Sequence, residues 1–137
     1  MDVRLQSFEE ALESLTYLVN VDFAVMASTL DPRLIDGLRN GQAQKFEYTL
    51  ELAWKAIKSF LKQQEGIDEG SPKKAVKAFY LAGYLSEGAY LEMIQAIDDR
   101  NKLSHIYERQ EFESIVDRLP MHAKLLHGIL QTLKRTD

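Results

Sequence analysis

Cysteine is absent from this 137-residue sequence, and proline and glycine are scarce, at three and seven residues. Without cysteine the chain has no disulfide, no thiolate metal site and no cysteine nucleophile. Scarce proline and glycine leave long stretches in which nothing interrupts a helix. No apolar run approaches the roughly 20 residues that span a bilayer. We therefore expect a cytoplasmic protein that does not contact membranes.

The charge balance is mildly acidic. Seventeen basic and twenty-one acidic side chains give a net charge of −4. This balance argues against broad electrostatic binding to nucleic acid or anionic lipid, although it leaves room for a local basic cleft. The length and the 45% hydrophobic content suit one globular domain, so we predict a single domain over residues 1–137.

Apolar residues recur at helical spacing almost throughout, and no stretch alternates as a strand does. We predict an all-α fold, an antiparallel, up-and-down, four-helix-bundle-like domain of about five helices. The helices are expected over residues 3–29, from Asp31-Pro32 to Glu65, from Ser71-Pro72 to Gly83, over 87–104 and over 110–134. Pro120 is expected to kink the last helix or mark a new start, and Gly37 and Gly41 to disturb the entry of the second.

The second predicted helix is apolar over more than one face. Phe46, Leu50 and Trp54 follow the core spacing, and Tyr48 and Leu52 widen the arc. A helix of this kind is buried on several sides or takes part in an oligomer interface. We expect it to be the central helix and a candidate dimer surface.

Polar residues replace apolar ones at the end of the fourth predicted helix. The stripe Tyr90, Ile94 and Ile97 continues onto Asn101, with Asp98 and His105 beside it. Buried polar groups need partners, so this end is either a satisfied structural network or a site.

The residue types at this end suit phosphate chemistry. Arg100 can hold a phosphate through two hydrogen bonds, His105 can transfer a proton, and Tyr107 offers a hydroxyl group. Together they suit cleavage of an RNA phosphodiester by the ribose 2′-hydroxyl, without a metal. On a straight helix Arg100 and His105 lie about 140° apart, so they converge only if the helix ends near Ser104 or a second chain supplies one of them.

The motif Arg100-x4-His105-x-Tyr107 resembles the signature of HEPN proteins of the HepT type. The block from Phe46-Glu47-Tyr48 to Trp54-Lys55, the Ser71-Pro72 cap and the segment from Phe8 to Leu12 are similar, in order and spacing, to the nucleotidyltransferase substrate-binding branch of that family. The likeness covers nearly the whole chain.

This resemblance implies a homodimeric helical bundle that binds a separate minimal nucleotidyltransferase and uses no cofactor or metal. By the same resemblance, Arg100 and His105 would be catalytic residues of a metal-independent endoribonuclease. Tyr107 would contact phosphate and accept AMP from the partner enzyme, which would neutralise the toxin. Asp98, Asn101 and Ser104 are taken as supporting residues, and the ligand would be RNA or a nucleotide.

Two other functions remain open. The protein could be a non-catalytic subunit that presents a nucleotide or substrate to the nucleotidyltransferase, or a purely structural helical dimer. A nuclease requires Arg100 and His105 to face one cleft that solvent can reach, whereas a structural role predicts a dry, internally satisfied polar cluster. His122 and His127, five residues apart, are expected to be structural or solvated, and Trp54 to be packed.

Overall fold

The computed structural model describes residues 2–26, 28–105 and 108–136, and these residues form six helices and no strand. The helices are α1 (Val3–Val19), α2 (Phe23–Met26), α3 (Pro32–Glu65), α4 (Pro72–Leu81), α5 (Glu87–Leu103) and α6 (Arg109–Thr136). Five of them have ten residues or more, and α2 has four. The predicted all-α class is confirmed.

The prediction of one helix over residues 3–29 is wrong, because α1 ends at Val19 and a second, short helix follows. Asp22 begins the new helix α2, and its carboxylate accepts hydrogen bonds from the backbone N–H groups of Ala24 (3.0 Å) and Val25 (3.2 Å). A short acidic side chain that satisfies these free N–H groups favours a helix start over a helix interior. Asp22 is therefore a capping residue at a helix end.

The central helix α3 has the ends that the sequence predicts. Asp31 accepts a hydrogen bond from the N–H of Arg33 at 2.9 Å, with Pro32 in the first turn. At the other end Gly66 has a φ of 67°, and the N–H of Ile67 donates to the carbonyl of Leu61 at 3.2 Å. This left-handed cap needs glycine because a side chain there would be strained. The expected irregular entry is absent, since α3 is continuous.

Helix α3 lies at the centre of the bundle and packs against α1, α4, α5 and α6. Hydrogen bonds from Gln42 to the carbonyl of Leu18 (2.7 Å) and from Ser59 to Asp2 (3.3 Å) show that α1 runs antiparallel to α3. Phe46 stacks on His122 of α6. Central packing of this helix is as predicted.

Helix α6 closes the bundle against α1. Lys134 pairs with Glu9 at 2.6 Å, and His127 lies 2.9 Å from the hydroxyl of Thr16, so these two helices are also antiparallel. Helix α6 passes through Pro120 without a new start. The apolar faces of the helices meet in one core, and no helix in the described part of the chain is long and apolar enough to cross a membrane.

Candidate functional site

The candidate site lies at the carboxyl-terminal end of α5. Ser86 caps the start of this helix by accepting a hydrogen bond from the N–H of Ala89 at 3.1 Å. The helix ends at Leu103, and Ser104 and His105 form the turn that follows, in which the N–H of His105 donates to the carbonyl of Lys102 at 2.9 Å. The helix therefore ends near Ser104, which is one of the two conditions under which Arg100 and His105 could converge.

Arg100 reaches from α5 to the central helix. Its Nη2 donates to Oε2 of Glu51 at 2.9 Å, and Nη1 lies 3.5 Å from Oδ1 of Asn101. The Nε atom is buried and has no hydrogen-bond partner among the described residues. With 34% of its side chain exposed, Arg100 remains within reach of solvent.

Glu51 holds three donors from two helices. Besides Arg100, it accepts a hydrogen bond from Nε1 of Trp54 at 3.1 Å and pairs with Nζ of Lys55 at 3.3 Å. Burial by itself would raise the pKa of Glu51, but the hydrogen bonds from Trp54 and Lys55 and the charge of Arg100 outweigh it and lower the pKa below its usual value. Glu51 is therefore an anion at neutral pH.

Glu47, one turn earlier on α3, has the opposite shift. Burial raises the pKa of Glu47, and the nearby charge of Arg100 only partly offsets the effect. Arg100 therefore lies close to two carboxyl groups. Neither Glu47 nor Glu51 was predicted as a site residue, although both belong to the motif block that carries the family resemblance.

The other predicted residues lie in different surroundings. Asp98 pairs with Lys73 of α4 at 2.7 Å, while Asn101, Ser104 and His105 are exposed. Among the described contacts, Arg100 meets Asn101 but neither Asp98 nor His105. Tyr107 lies outside the described residues.

A buried polar network beside Arg100 was missed from the sequence. Asp99 is fully buried and accepts hydrogen bonds from Gln95 (2.9 Å), from Arg118 at two atoms (2.9 and 2.8 Å) and from His122 (2.7 Å). Despite burial, which would raise it, the pKa of Asp99 is held well below its usual range by the hydrogen bonds from His122, Arg118 and Gln95. Arg118 and His122 lie four residues apart, on one face of α6. This spacing is the sequence pattern that could have indicated a shared acidic partner.

His122 completes this network from inside the core. It is fully buried, its ring stacks on Phe46 with centroids 5.4 Å apart, and its Nδ1 has no hydrogen-bond partner in the described part of the chain. The structural interpretation of His122 is confirmed. The buried polar cluster is thus centred on Asp99, whereas Arg100 and His105 remain open to solvent.

Most of the arginines near the carboxyl-terminal end of α5 already form ion pairs within the chain. Arg39 contacts Glu113 and Asp117, Arg100 contacts Glu51, Arg109 lies 2.6 Å from Asp36, and Arg118 binds Asp99. Within the described ranges no group of three or more acidic or histidine side chains is arranged to hold a metal ion. Arg100 is therefore a paired but partly exposed guanidinium, and His105 an exposed imidazole just past the end of α5.

Comparisons with known proteins identify one family and several structures of the same fold. A family model described as "nucleotidyltransferase substrate binding protein like" matches residues 3–135. A protein of Thermus thermophilus with a crystal structure shares 30% sequence identity, with 93% of this chain and 99% of that chain covered and a TM-score of 0.81. No curated protein matches the sequence.

Two more distant structures share the fold. One is a Haemophilus influenzae protein with the fold of a substrate binding domain of a nucleotidyltransferase, at 21% identity, 95% and 98% coverage and a TM-score of 0.78. The other is a tri-AMPylated Shewanella oneidensis HEPN toxin in complex with MNT antitoxin, at 13% identity, 98% and 99% coverage and a TM-score of 0.74.

Proposed function

Because the chain belongs to the family of nucleotidyltransferase substrate binding proteins, we propose that it is the cytoplasmic partner subunit of a separate minimal nucleotidyltransferase and is itself a HEPN toxin-type, metal-independent endoribonuclease. The observation that carries this proposal is the end of α5. There a solvent-reachable Arg100 is followed, just past the end of the helix, by the exposed imidazole of His105.

The proposed reaction needs only groups of the protein and of the RNA. Arg100 binds the phosphate that is cleaved. The ribose 2′-oxygen attacks phosphorus, so the bond from phosphorus to the 2′-oxygen forms while the bond to the 5′-oxygen breaks. His105 transfers the proton between the 2′-hydroxyl and the leaving 5′-oxygen. The products are a 2′,3′-cyclic phosphate and a free 5′-hydroxyl.

The nuclease proposal is tested with purified protein and RNA in EDTA. Native protein should cleave, and His105→Ala should lose cleavage while melting at the same temperature. His127→Ala is the matched control, because His127 contacts Thr16 and lies about 27 Å along α6 from the site end of that helix. Equal cleavage by native protein and His105→Ala would refute the assignment of His105.

The partner enzyme is proposed to silence this activity by modifying Tyr107. The phenol oxygen of Tyr107 would attack the α-phosphorus of ATP, forming a phosphodiester and releasing pyrophosphate and a proton. The HEPN toxin of Shewanella oneidensis, which is tri-AMPylated and bound to MNT antitoxin, supports this proposal.

Co-expression with the cognate nucleotidyltransferase tests the modification. Mass spectrometry should find one or more AMP units on the peptide that contains Tyr107 and none after Tyr107→Phe. Tyr17, which is 76% exposed, is a control tyrosine that should stay unmodified. An unmodified Tyr107 beside a demonstrably active partner would contradict the proposal.

The ion pair between Arg100 and Glu51 favours a second function, a non-catalytic subunit that presents a nucleotide or substrate. An arginine that is already bound by a carboxylate is less available to a phosphodiester than a free one. This function predicts that native protein binds a nucleotide or enhances the activity of the nucleotidyltransferase, with no cleavage of RNA in EDTA. Cleavage that depends on His105 would exclude it.

We further propose that two copies of the chain associate through the outer face of α3. Leu34 and Tyr48 on this face are 58% and 56% exposed, and Gly41 lies between them with open space where a Cβ would lie. Light scattering after gel filtration should give the mass of a dimer, and Tyr48→Glu should shift it towards the monomer. A native monomer at micromolar concentration would contradict the proposal.

A further inference from the structure

Glu51 binds the guanidinium group of Arg100, which is the group that the proposed function assigns to phosphate binding. Its Oε2 accepts hydrogen bonds from both Arg100 (2.9 Å) and Trp54 (3.1 Å), and its Oε1 faces Lys55 at 3.3 Å. Trp54 and Lys55 belong to the same helix as Glu51, whereas Arg100 reaches it from α5. Glu51 would therefore keep two local partners if Arg100 moved away.

An incoming phosphate and Glu51 compete for the same guanidinium group. A guanidinium binds a carboxylate and a phosphate with the same planar geometry, through parallel N–H groups. The Nε of Arg100 is buried, so the accessible donors are the two Nη groups, and one of these already binds Glu51. Repulsion between the two anions adds to this competition.

We propose that Glu51 is an exchangeable internal anion, and that a phosphate group binds at Arg100 by displacing the Glu51 carboxylate onto its local partners Trp54 and Lys55. This inference rests on the proposed function only in taking Arg100 as the phosphate-binding residue. Glu51 then sets the affinity of the site for phosphate, and the exchange changes the surroundings of the indole N–H.

The chain carries its own reporter of this exchange, because Trp54 is the sole tryptophan. Its indole N–H donates to the oxygen that Arg100 also binds. Titration of the native protein with 5′-AMP should therefore shift the single indole N–H signal in a proton–nitrogen correlation spectrum. Adenosine, which lacks the phosphate, should leave this signal in place.

Variants separate competition from general electrostatics, with affinities measured by calorimetry. Glu51→Gln keeps an oxygen acceptor for Trp54 but removes the competing charge, and it should bind 5′-AMP about tenfold more tightly. Glu47→Gln removes a nearby charge that makes no hydrogen bond to Arg100 in the structure, so its gain should be smaller. Arg100→Ala should lose binding.

Three results would overturn the proposal. Binding by Glu51→Gln that is equal to or weaker than native, while Arg100→Ala has lost binding, would show that Glu51 does not compete and would leave Arg100 as the phosphate ligand. Binding of 5′-AMP to the native protein without a shift of the indole signal would reject the exchange even if no variant folds. Absence of 5′-AMP binding in both native protein and Glu51→Gln would reject the exchange together with the phosphate role of Arg100. The cleavage assay with His105→Ala tests the nuclease separately.

Discussion

Removal of the Asp99 carboxylate should destabilise the bundle strongly. Asp99→Ala removes four hydrogen bonds, three of them to the side chains of Arg118 and His122, which join α5 to α6. Arg118 is 35% exposed, so water can replace part of the hydrogen bonding that its guanidinium loses. His122 is fully buried and has no such replacement. Breaking such a buried pair from one side costs about 3–5 kcal/mol, a large part of the total of about 5–15 kcal/mol for a domain.

Urea unfolding followed by far-ultraviolet circular dichroism measures this loss. With a slope of about 2 kcal/mol per molar urea, the midpoint should fall by roughly 2 M. The neighbouring Asp98→Ala is the matched control, because Asp98 pairs with Lys73 at 2.7 Å through side chains that are 42% and 52% exposed. Such a surface pair contributes at most about 1 kcal/mol.

The stability cost of Asp99→Ala should also depend on pH. The pKa of Asp99 is lower in the folded chain than in the unfolded chain, so its contribution to stability is complete above about pH 4 and is lost as the pH falls below that value. The stability gap between native protein and Asp99→Ala should therefore narrow in acid. A loss for Asp99→Ala no greater than for Asp98→Ala at neutral pH would refute the reasoning.

Further substitutions test the ends and interior of the helices. Ser86→Ala should cost about 1 kcal/mol in urea unfolding because it removes the cap of α5, and Ser71→Ala should cost less because Ser71 makes no side-chain cap. Gly66→Ala should lower the free energy of unfolding by about 1–2 kcal/mol, since φ is 67° at this position. Gly128→Ala, inside α6 with open space where a Cβ would lie, should raise the free energy of unfolding by about 0.5–1 kcal/mol. A change of the same sign in both variants would contradict the backbone argument. Pro120→Ala should raise the melting temperature, with a gain of about 1–2 kcal/mol from the restored helical hydrogen bond, and a lower melting temperature would show that the proline ring is needed for packing.

The helix boundaries were predictable where the signal is local. Asp31 with Pro32 and Gly66 with Ile67 mark the ends of α3, and each cap is built from side chains or backbone within a few residues. The break after Val19 was missed because the apolar spacing continues beyond it, and the capping role of Asp22 becomes evident only once the chain has turned.

The candidate site was only partly predictable. The sequence identified the segment that begins at Arg100, but the neighbours of that residue depend on how α5 is rotated against α3 and α6. That rotation buries Asp99 rather than Asn101 and brings Glu51, 49 residues away, to Arg100. Helical spacing gives the faces of one helix, whereas the pairing of faces between helices is set by tertiary packing.

The paired arginines at this end of the bundle have a consequence for how a polyanion would be recognised. Since Arg39, Arg100, Arg109 and Arg118 are each compensated by a carboxylate, an approaching strand would meet little net positive potential and would displace few condensed counter-ions. Its binding constant should then change only shallowly with salt concentration. Selectivity would come from the few groups that exchange partners rather than from long-range attraction.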